Sequence, residues 1–259
     1  MGIVNVTTDS FFEASRATQT SEILAKASTH LEEGATFLDV GGYSTRPGSD
    51  EISEEEELKR VLPAIETILK EFPKALISVD TFRSQVAKNA LEMGACMVND
   101  ISGGLLDDNM LDTVAKYQVP YVIMHMRGTP HTMMEDTRYD HITTEVRYYF
   151  SERLAAARQA GINDVIVDPG FGFSKTLQQN FELFADLDLL LPLEEPILVG
   201  VSRKSMIYKA LNSTPNEALN GTTALHAIAL QKGASILRVH DVKEAMECVT
   251  LLENLKQLS

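Results

Sequence analysis

Six times in this chain a short apolar run, rich in β-branched residues, stops on a polar side chain. The runs are Phe37-Leu38-Asp39, Ile77-Ser78-Val79-Asp80, Met97-Val98-Asn99-Asp100, Val122-Ile123-Met124-His125, Val165-Ile166-Val167-Asp168 and Leu237-Arg238-Val239-His240. Runs of this length, separated by stretches with helical period, read as buried parallel strands. In parallel α/β proteins the carboxyl ends of the strands are where ligands bind. One pattern therefore specifies a scaffold and marks where its chemistry belongs.

The chain divides into eight strand-then-helix units. Strands are predicted at 2–6, 36–40, 76–79, 97–99, 121–124, 165–167, 197–199 and 235–239. Helices are predicted at 21–33, 54–71, 83–93, 110–116, 142–159, 177–187, 216–231 and 242–255. Gly34, Gly94, Gly161 and Gly233 stand where helices should stop, as a left-handed C-terminal residue does. Eight such units favour a single (β/α)8 TIM barrel over an open doubly wound sheet. No linker rich in Pro, Gly or Ser interrupts the 259 residues, so 1–259 reads as one domain. The longest irregular stretches, 7–20, 41–53, 125–140 and 169–176, all follow strands and are expected to form long catalytic-face βα loops.

A net charge of −14, from 23 basic and 37 acidic residues, argues against nucleic acid or an anionic membrane as a partner. No apolar run approaches the roughly 20 residues of a membrane helix. Met1 leads directly into strand-like sequence, and Cys96 and Cys248 share no metal or redox spacing, which suits a cytoplasmic protein. Glu51 to Glu57 reads as the solvated start of a helix, with Ser53 and Glu56 as a capping box.

Asp168-Pro169-Gly170-Phe171-Gly172-Phe173-Ser174-Lys175 closes the sixth strand. Its proline sets a turn, its glycines allow close backbone approach, and its two aromatics can clamp a flat ring. The plainer alternative is a tight turn with two core phenylalanines. Asp80, Asn99 and Asp168 at strand ends suit a planar heterocycle with amide-like donors. Arg46, Arg203, Lys204 and Arg238 add cations at the rim of an acidic protein, which implies a phosphate ester or diphosphate. Alternatively these cations pair with Asp39, Asp80 and Asp241 as structural ion pairs. His30, His141 and His226 read as packing or surface residues, Asp100 as structural, and His125 as a pocket-lining candidate; His131 is undecided.

Eight segments together resemble the signatures of the bacterial dihydropteroate synthases. They are MGIVNVTTDSF (1–11), DVGGYSTRPG (39–48), SVDT (78–81), NDISG (99–103), MHMRGTP (124–130), DPGFGFSK (168–175), GVSRK (200–204) and RVHDV (238–242). The resemblance covers essentially the whole chain, in order. It implies condensation of 6-hydroxymethyl-7,8-dihydropterin diphosphate with p-aminobenzoate to dihydropteroate and pyrophosphate, assisted by Mg2+. It assigns Asp80, Asn99, Met124, Asp168, Phe173 and Lys204 to the pterin, and Asn5, Arg46, Arg238 and His240 to the diphosphate. Asn5 and Asp39 would serve the metal. Phe11, Thr45, Pro47, Phe171 and Ser202, with Lys204 alongside, would form the p-aminobenzoate side, where sulfonamides compete. Asp80, Lys204, Arg238, His240 and Arg46 would carry catalysis. Family members are commonly homodimers through late helices, here 216–231 and 242–255.

Three departures stand out. Thr8 replaces a usual proline, residues 12–15 differ from the usual Ser-Asp-Gly-Gly, and relatives usually carry a segment ahead of the first strand that covers the barrel bottom. Two alternatives follow: a non-catalytic pterin-binding paralogue, and a methyltetrahydrofolate-dependent methyltransferase, which would leave the STRPG and SRK rims without a purpose.

Overall fold

The computed structural model describes residues 1–6, 13–44 and 51–256, the side chains of 13–19 and 256 excepted. Its strands are β1 (Gly2–Asn5), β2 (Phe37–Gly41), β3 (Leu76–Asp80), β4 (Met97–Asp100), β5 (Tyr121–Met124), β6 (Val165–Asp168), β7 (Ile197–Val199) and β8 (Ala234–Leu237). They form one curled parallel sheet in the order β1 to β8. Its edges approach through a parallel bridge between Gly2 and Val239, with Ile3 N donating to Val239 O at 2.9 Å and Val239 N to Met1 O at 2.9 Å.

Around the sheet lie α1 (Glu13–Glu32), α2 (Glu54–Glu71), α3 (Ser84–Met93), α4 (Met110–Tyr117), α5 (Ile142–Ala160), α6 (Leu177–Ala185), α7 (Ser205–Ala210), α8 (Leu219–Gln231) and α9 (Val242–Lys256). The strand positions match the sequence reading to within a residue or two. Gly94 and Gly161 end α3 and α5 at φ 117° and 91°, a conformation that only glycine adopts cheaply. Two helices differ from expectation. The first begins at Glu13 rather than at residue 21, because EASRATQT has helix-forming residues but no apolar period to reveal it. The six-residue α7 is too short to show a period at all.

Successive residues on a strand face opposite sides of the sheet, so each strand divides between two cores. Leu38, Val40, Ile77, Val79, Tyr121, Ile123, Val165 and Val167 join helical residues such as Val61, Ile65, Ile68 and Phe150 in the outer core. The alternate positions face inward. Met97, Val122, Ile166 and Leu198, with Met1, Phe37 and Ile236, form a separate apolar plug inside the sheet.

The acidic start of α2 is only partly solvated. Ser53 caps the helix by accepting from Glu56 N at 3.1 Å, but the reciprocal half of the expected capping box is missing because Glu56 binds Arg60 at 2.7 Å. Glu57, expected in solvent, is fully buried and accepts from Thr81 Oγ1 at 2.6 Å and Arg83 Nη1 at 2.7 Å. That carboxylate ties α2 to the turn after β3. Burial of a charge is tolerable only with such partners.

Candidate active site

Two residues beyond the plug residues other than Met1, on the same inward face, lies a second layer in which four of six positions are polar. Phe37 is followed by Asp39, Met97 by Asn99, Val122 by Met124, Ile166 by Asp168, Leu198 by Gly200 and Ile236 by Arg238. A polar layer therefore rests on an apolar floor, toward the carboxyl ends of the strands. Period two places it there without help from the loops.

Arg238 organises one half of this layer. Its Nε donates to Asp39 Oδ2 at 2.6 Å and its Nη2 to Asp80 Oδ2 at 2.5 Å, while Asn99 Nδ2 donates to Asp39 Oδ2 at 3.1 Å. Among the described residues Nη1 donates to none, and Asp39 Oδ1, itself buried, has no partner. The two carboxylates hold Arg238 charged against burial. Burial pushes Asp80 up to about 7, with Arg238 opposing and the charge of Asp39 reinforcing the rise.

Asp168, Lys204 and Phe173 organise the other half. Asp168 Oδ1 accepts from Gly170 N at 2.8 Å. Lys204 Nζ donates to Phe171 O at 2.5 Å and lies 4.8 Å from the centre of the Phe173 ring. Burial raises Asp168 and lowers Lys204 to about 8, each opposed by the charge of the other. Between the halves stands Gly200. A methyl group there would lie 3.8 Å from Lys204 Nζ, 3.9 Å from Arg238 Cβ and 4.0 Å from Asp168 Oδ2. The missing side chain leaves room bordered by the Asp168 carboxylate, the Lys204 amine and the Arg238 Cβ. Glycine was not singled out in the sequence, although it follows the plug residue Leu198 by the same two-residue step.

Met124 lies beside Phe173 in a small apolar wall with Ile101, Met126 and Met133. Asn5 is exposed at the end of β1, and His240 N donates to Ser202 Oγ at 3.1 Å beyond β8. Phe11, Thr45, Arg46 and Pro47 lie outside the described residues, as does Thr8.

Some expectations need correction. Only one of the two turn aromatics faces the site: Phe171 is fully buried in the outer core, edge-on to Phe184 at 5.5 Å, and contributes its carbonyl instead. Arg203 is taken up by Asp241 through two bonds of 2.8 Å, so it is a structural ion pair rather than a free cation. Arg238 is also ion-paired, yet keeps donors to spare. Asp100 is structural as expected, accepting from Ser102 N and Oγ, Gly104 N and Tyr121 Oη. His30 and His226 are buried packing residues, and the undecided His131 meets Tyr43 Oη at 3.1 Å.

Residues 1–240 match the family model described as pterin binding enzyme. Dihydropteroate synthase of Escherichia coli (strain K12) is 44% identical over 255 residues, covering 98% of this chain and 90% of the relative. A solved Yersinia pestis dihydropteroate synthase, in a sulfonamide drug complex, superposes with a TM-score of 0.92 at 40% identity, covering 100% of this chain and 93% of the other. The Xanthomonas albilineans enzyme in complex with 7,8-dihydropteroate gives 0.87 at 37% identity, covering 98% and 92%.

Proposed function

The chain belongs to the pterin-binding enzymes, among the dihydropteroate synthases, and we propose that its polar layer joins 6-hydroxymethyl-7,8-dihydropterin diphosphate to p-aminobenzoate. The observation that carries this reading is the gap at Gly200, walled by Asp168, Lys204 and Arg238 above an apolar floor. A flat heterocycle with N–H donors on one edge and acceptors on another matches those walls. Asp168 accepts from the aminopyrimidine edge, Asn99 and Asp80 complete the polar contacts, Lys204 donates to the ring's acceptors, and Met124 and Phe173 cover its faces.

In the reaction the bond from the pterin methylene carbon to the diphosphate oxygen breaks, and its electron pair leaves with pyrophosphate. The amine lone pair of p-aminobenzoate then forms the carbon–nitrogen bond, and the nitrogen releases a proton. Nη1 of Arg238, with His240, Asn5 and Arg46, takes the diphosphate and stabilises the charge that grows on it. Ionised Asp168 and Asp80 balance positive charge left on the ring. An arylamine needs no strong base, so orientation and electrostatics carry the rate. Phe11, Thr45, Pro47, Phe171 and Ser202 are assigned to the p-aminobenzoate side; for Phe171 the backbone is the group available. The same side is where a sulfonamide would compete.

Mg2+ fits the donors available. Asn5 offers an exposed amide oxygen and Asp39 an unpartnered Oδ1, both hard ligands. No group of three or more His, Cys, Asp or Glu that could hold a metal occurs among the described residues, so the diphosphate and water would complete its shell. Bound there, Mg2+ would neutralise charge on the leaving pyrophosphate.

The approach of β1 to Val239 supports a closed (β/α)8 TIM barrel as one domain, 1–259. Exposed Ile228 on α8 and Leu251 and Leu255 on α9 support the expected homodimer. No helix among the described residues is long and apolar enough to cross a membrane, and a cytoplasmic location is proposed. The direct test is pyrophosphate release with both substrates and Mg2+, in wild type and Lys204→Ala. Turnover by wild type, reduced about 100-fold or more in the variant, is expected on loss of a buried charged contact. Equal turnover would remove Lys204 from the site.

A further inference from the structure

Lys175 is a buried amine, and burial lowers it well below the usual lysine range. It is 2% exposed, and among the described residues it forms no ion pair. Its Nζ instead reaches three close neutral acceptors, Gly170 O at 2.9 Å, His125 Nδ1 at 3.0 Å and Phe173 O at 3.0 Å, and a longer fourth, His125 O at 3.5 Å. In its ammonium form the group has three protons to give, and the three close acceptors match them one for one. Facing the ammonium form, His125 offers the Nδ1 lone pair and carries its ring proton on Nε2, a tautomer inferred from the bonding.

The partner is itself held. His125 is 2% exposed, its backbone N–H donates to Asp168 O at 2.9 Å, and its ring lies edge-on to Tyr149 at 4.9 Å. Tyr149 Oη is anchored on Met124 O at 2.8 Å. A chain of contacts thus runs from α5 through His125 to the turn after β6. That turn bears on the pterin in three ways. Gly170 N holds Asp168 Oδ1, Phe171 O holds Lys204 Nζ, and the Phe173 ring lies under the same ammonium. The turn has no slack, because a Cβ at Gly170 would strike the carbonyl oxygen of His125.

We propose that Lys175, seated on His125, is a positioning residue of the pterin site. By gathering the carbonyls of Gly170 and Phe173 onto one ammonium, it sets the Asp168 carboxylate and the Phe173 ring on either side of Lys204. In its protonated form it also places a positive charge behind Asp168, alongside those of Lys204 and Arg238, although burial lowers its own ammonium well below the usual lysine range. The inference rests on the reading of Asp168 as the pterin acceptor.

The test uses the full chain with 6-hydroxymethylpterin as calorimetric probe, and steady-state kinetics for p-aminobenzoate at saturating pterin diphosphate. Lys175→Met should weaken pterin binding about tenfold or more while the KM for p-aminobenzoate stays within about threefold. Its pterin binding should also fail at a higher pH on the acid side than in wild type, since Asp168 loses a neighbouring cation. Should Lys175→Met fail to fold, His125→Leu against His125→Asn makes the same comparison. The asparagine oxygen restores an acceptor and should recover most of the pterin affinity that leucine loses. A purely structural role predicts an unchanged pterin constant in the active fraction of each variant, and that result overturns the proposal. Asp168→Asn is the control for the underlying reading: if it binds pterin as wild type does, both readings fall. If it weakens binding and Lys175→Met does not, only the positioning role falls.

Discussion

Lys204 illustrates how one residue's surroundings set the working range of the site. Burial lowers its pKa to about 8, with Asp168 opposing and Arg238 assisting. Below that value the ammonium is present to hold Phe171 O and the ring acceptors; above it the donor charge is lost. The dependence of kcat/KM for pterin diphosphate on pH should therefore fall through a midpoint near 8, as measured by pyrophosphate release. Lys204→Arg, whose charge does not titrate there, should lose that limb even if its plateau is lower. Stability runs the other way. Between about 8 and 10.5 the unfolded chain binds the Lys204 proton and the folded chain does not, so this residue's contribution grows more favourable as pH rises across that window.

At the scale of elements, helix starts and stops are local and separable from the site. Ser53 satisfies one otherwise unpaired N–H at the start of α2, and Ser53→Ala should cost about 1 kcal/mol in chemical denaturation with catalysis unchanged. Glu57, four residues on, is a different case. It is buried against Thr81 and Arg83, so Glu57→Ala leaves Arg83 Nη1 without that partner and should cost about 3 kcal/mol or more. A double comparison in guanidinium separates the two; equal midpoints would contradict the structural distinction. The periodic apolar pattern identified α2 itself, but nothing local distinguished Glu57 from Glu54, Glu55 and Glu56. Their difference arises only because the turn after β3 folds over one of them.

Across the whole molecule, the plug and the polar layer share the same inward face. Ile166→Ala would empty part of the floor two residues from Asp168, at a cost of about 2–5 kcal/mol depending on how far the cavity relaxes. A drop in thermal midpoint accompanied by a modest change in pterin affinity is expected; an unchanged midpoint would show that the floor does not support the fold. The exposed apolar residues of α8 and α9 make a second molecular-scale prediction. Leu251→Glu together with Leu255→Glu should shift the protein to a smaller species in sedimentation, while a single unchanged mass in both forms would remove the proposed dimer.

Strand positions, helix stops and the inward polar residues were legible because they follow from backbone period and steric preference. Asp39, Asn99, Asp168 and Arg238 were marked as polar stops at strand ends before any contact was known, and the structure shows alternation turning them to one inward face. The partners were legible only as the alternative in which the rim cations pair with Asp39, Asp80 and Asp241; which cation meets which acid was not. Arg238 meets Asp39 and Asp80 across 199 and 158 residues of chain, and Lys175 meets His125 across 50. Phe171 and Phe173, two residues apart, part company for the outer core and the pocket because glycine turns between them depart from strand alternation. Local sequence determined where polar groups would gather. Only the curl of the sheet and the closure of its turns decided which charges neutralise one another and which remain for a ligand.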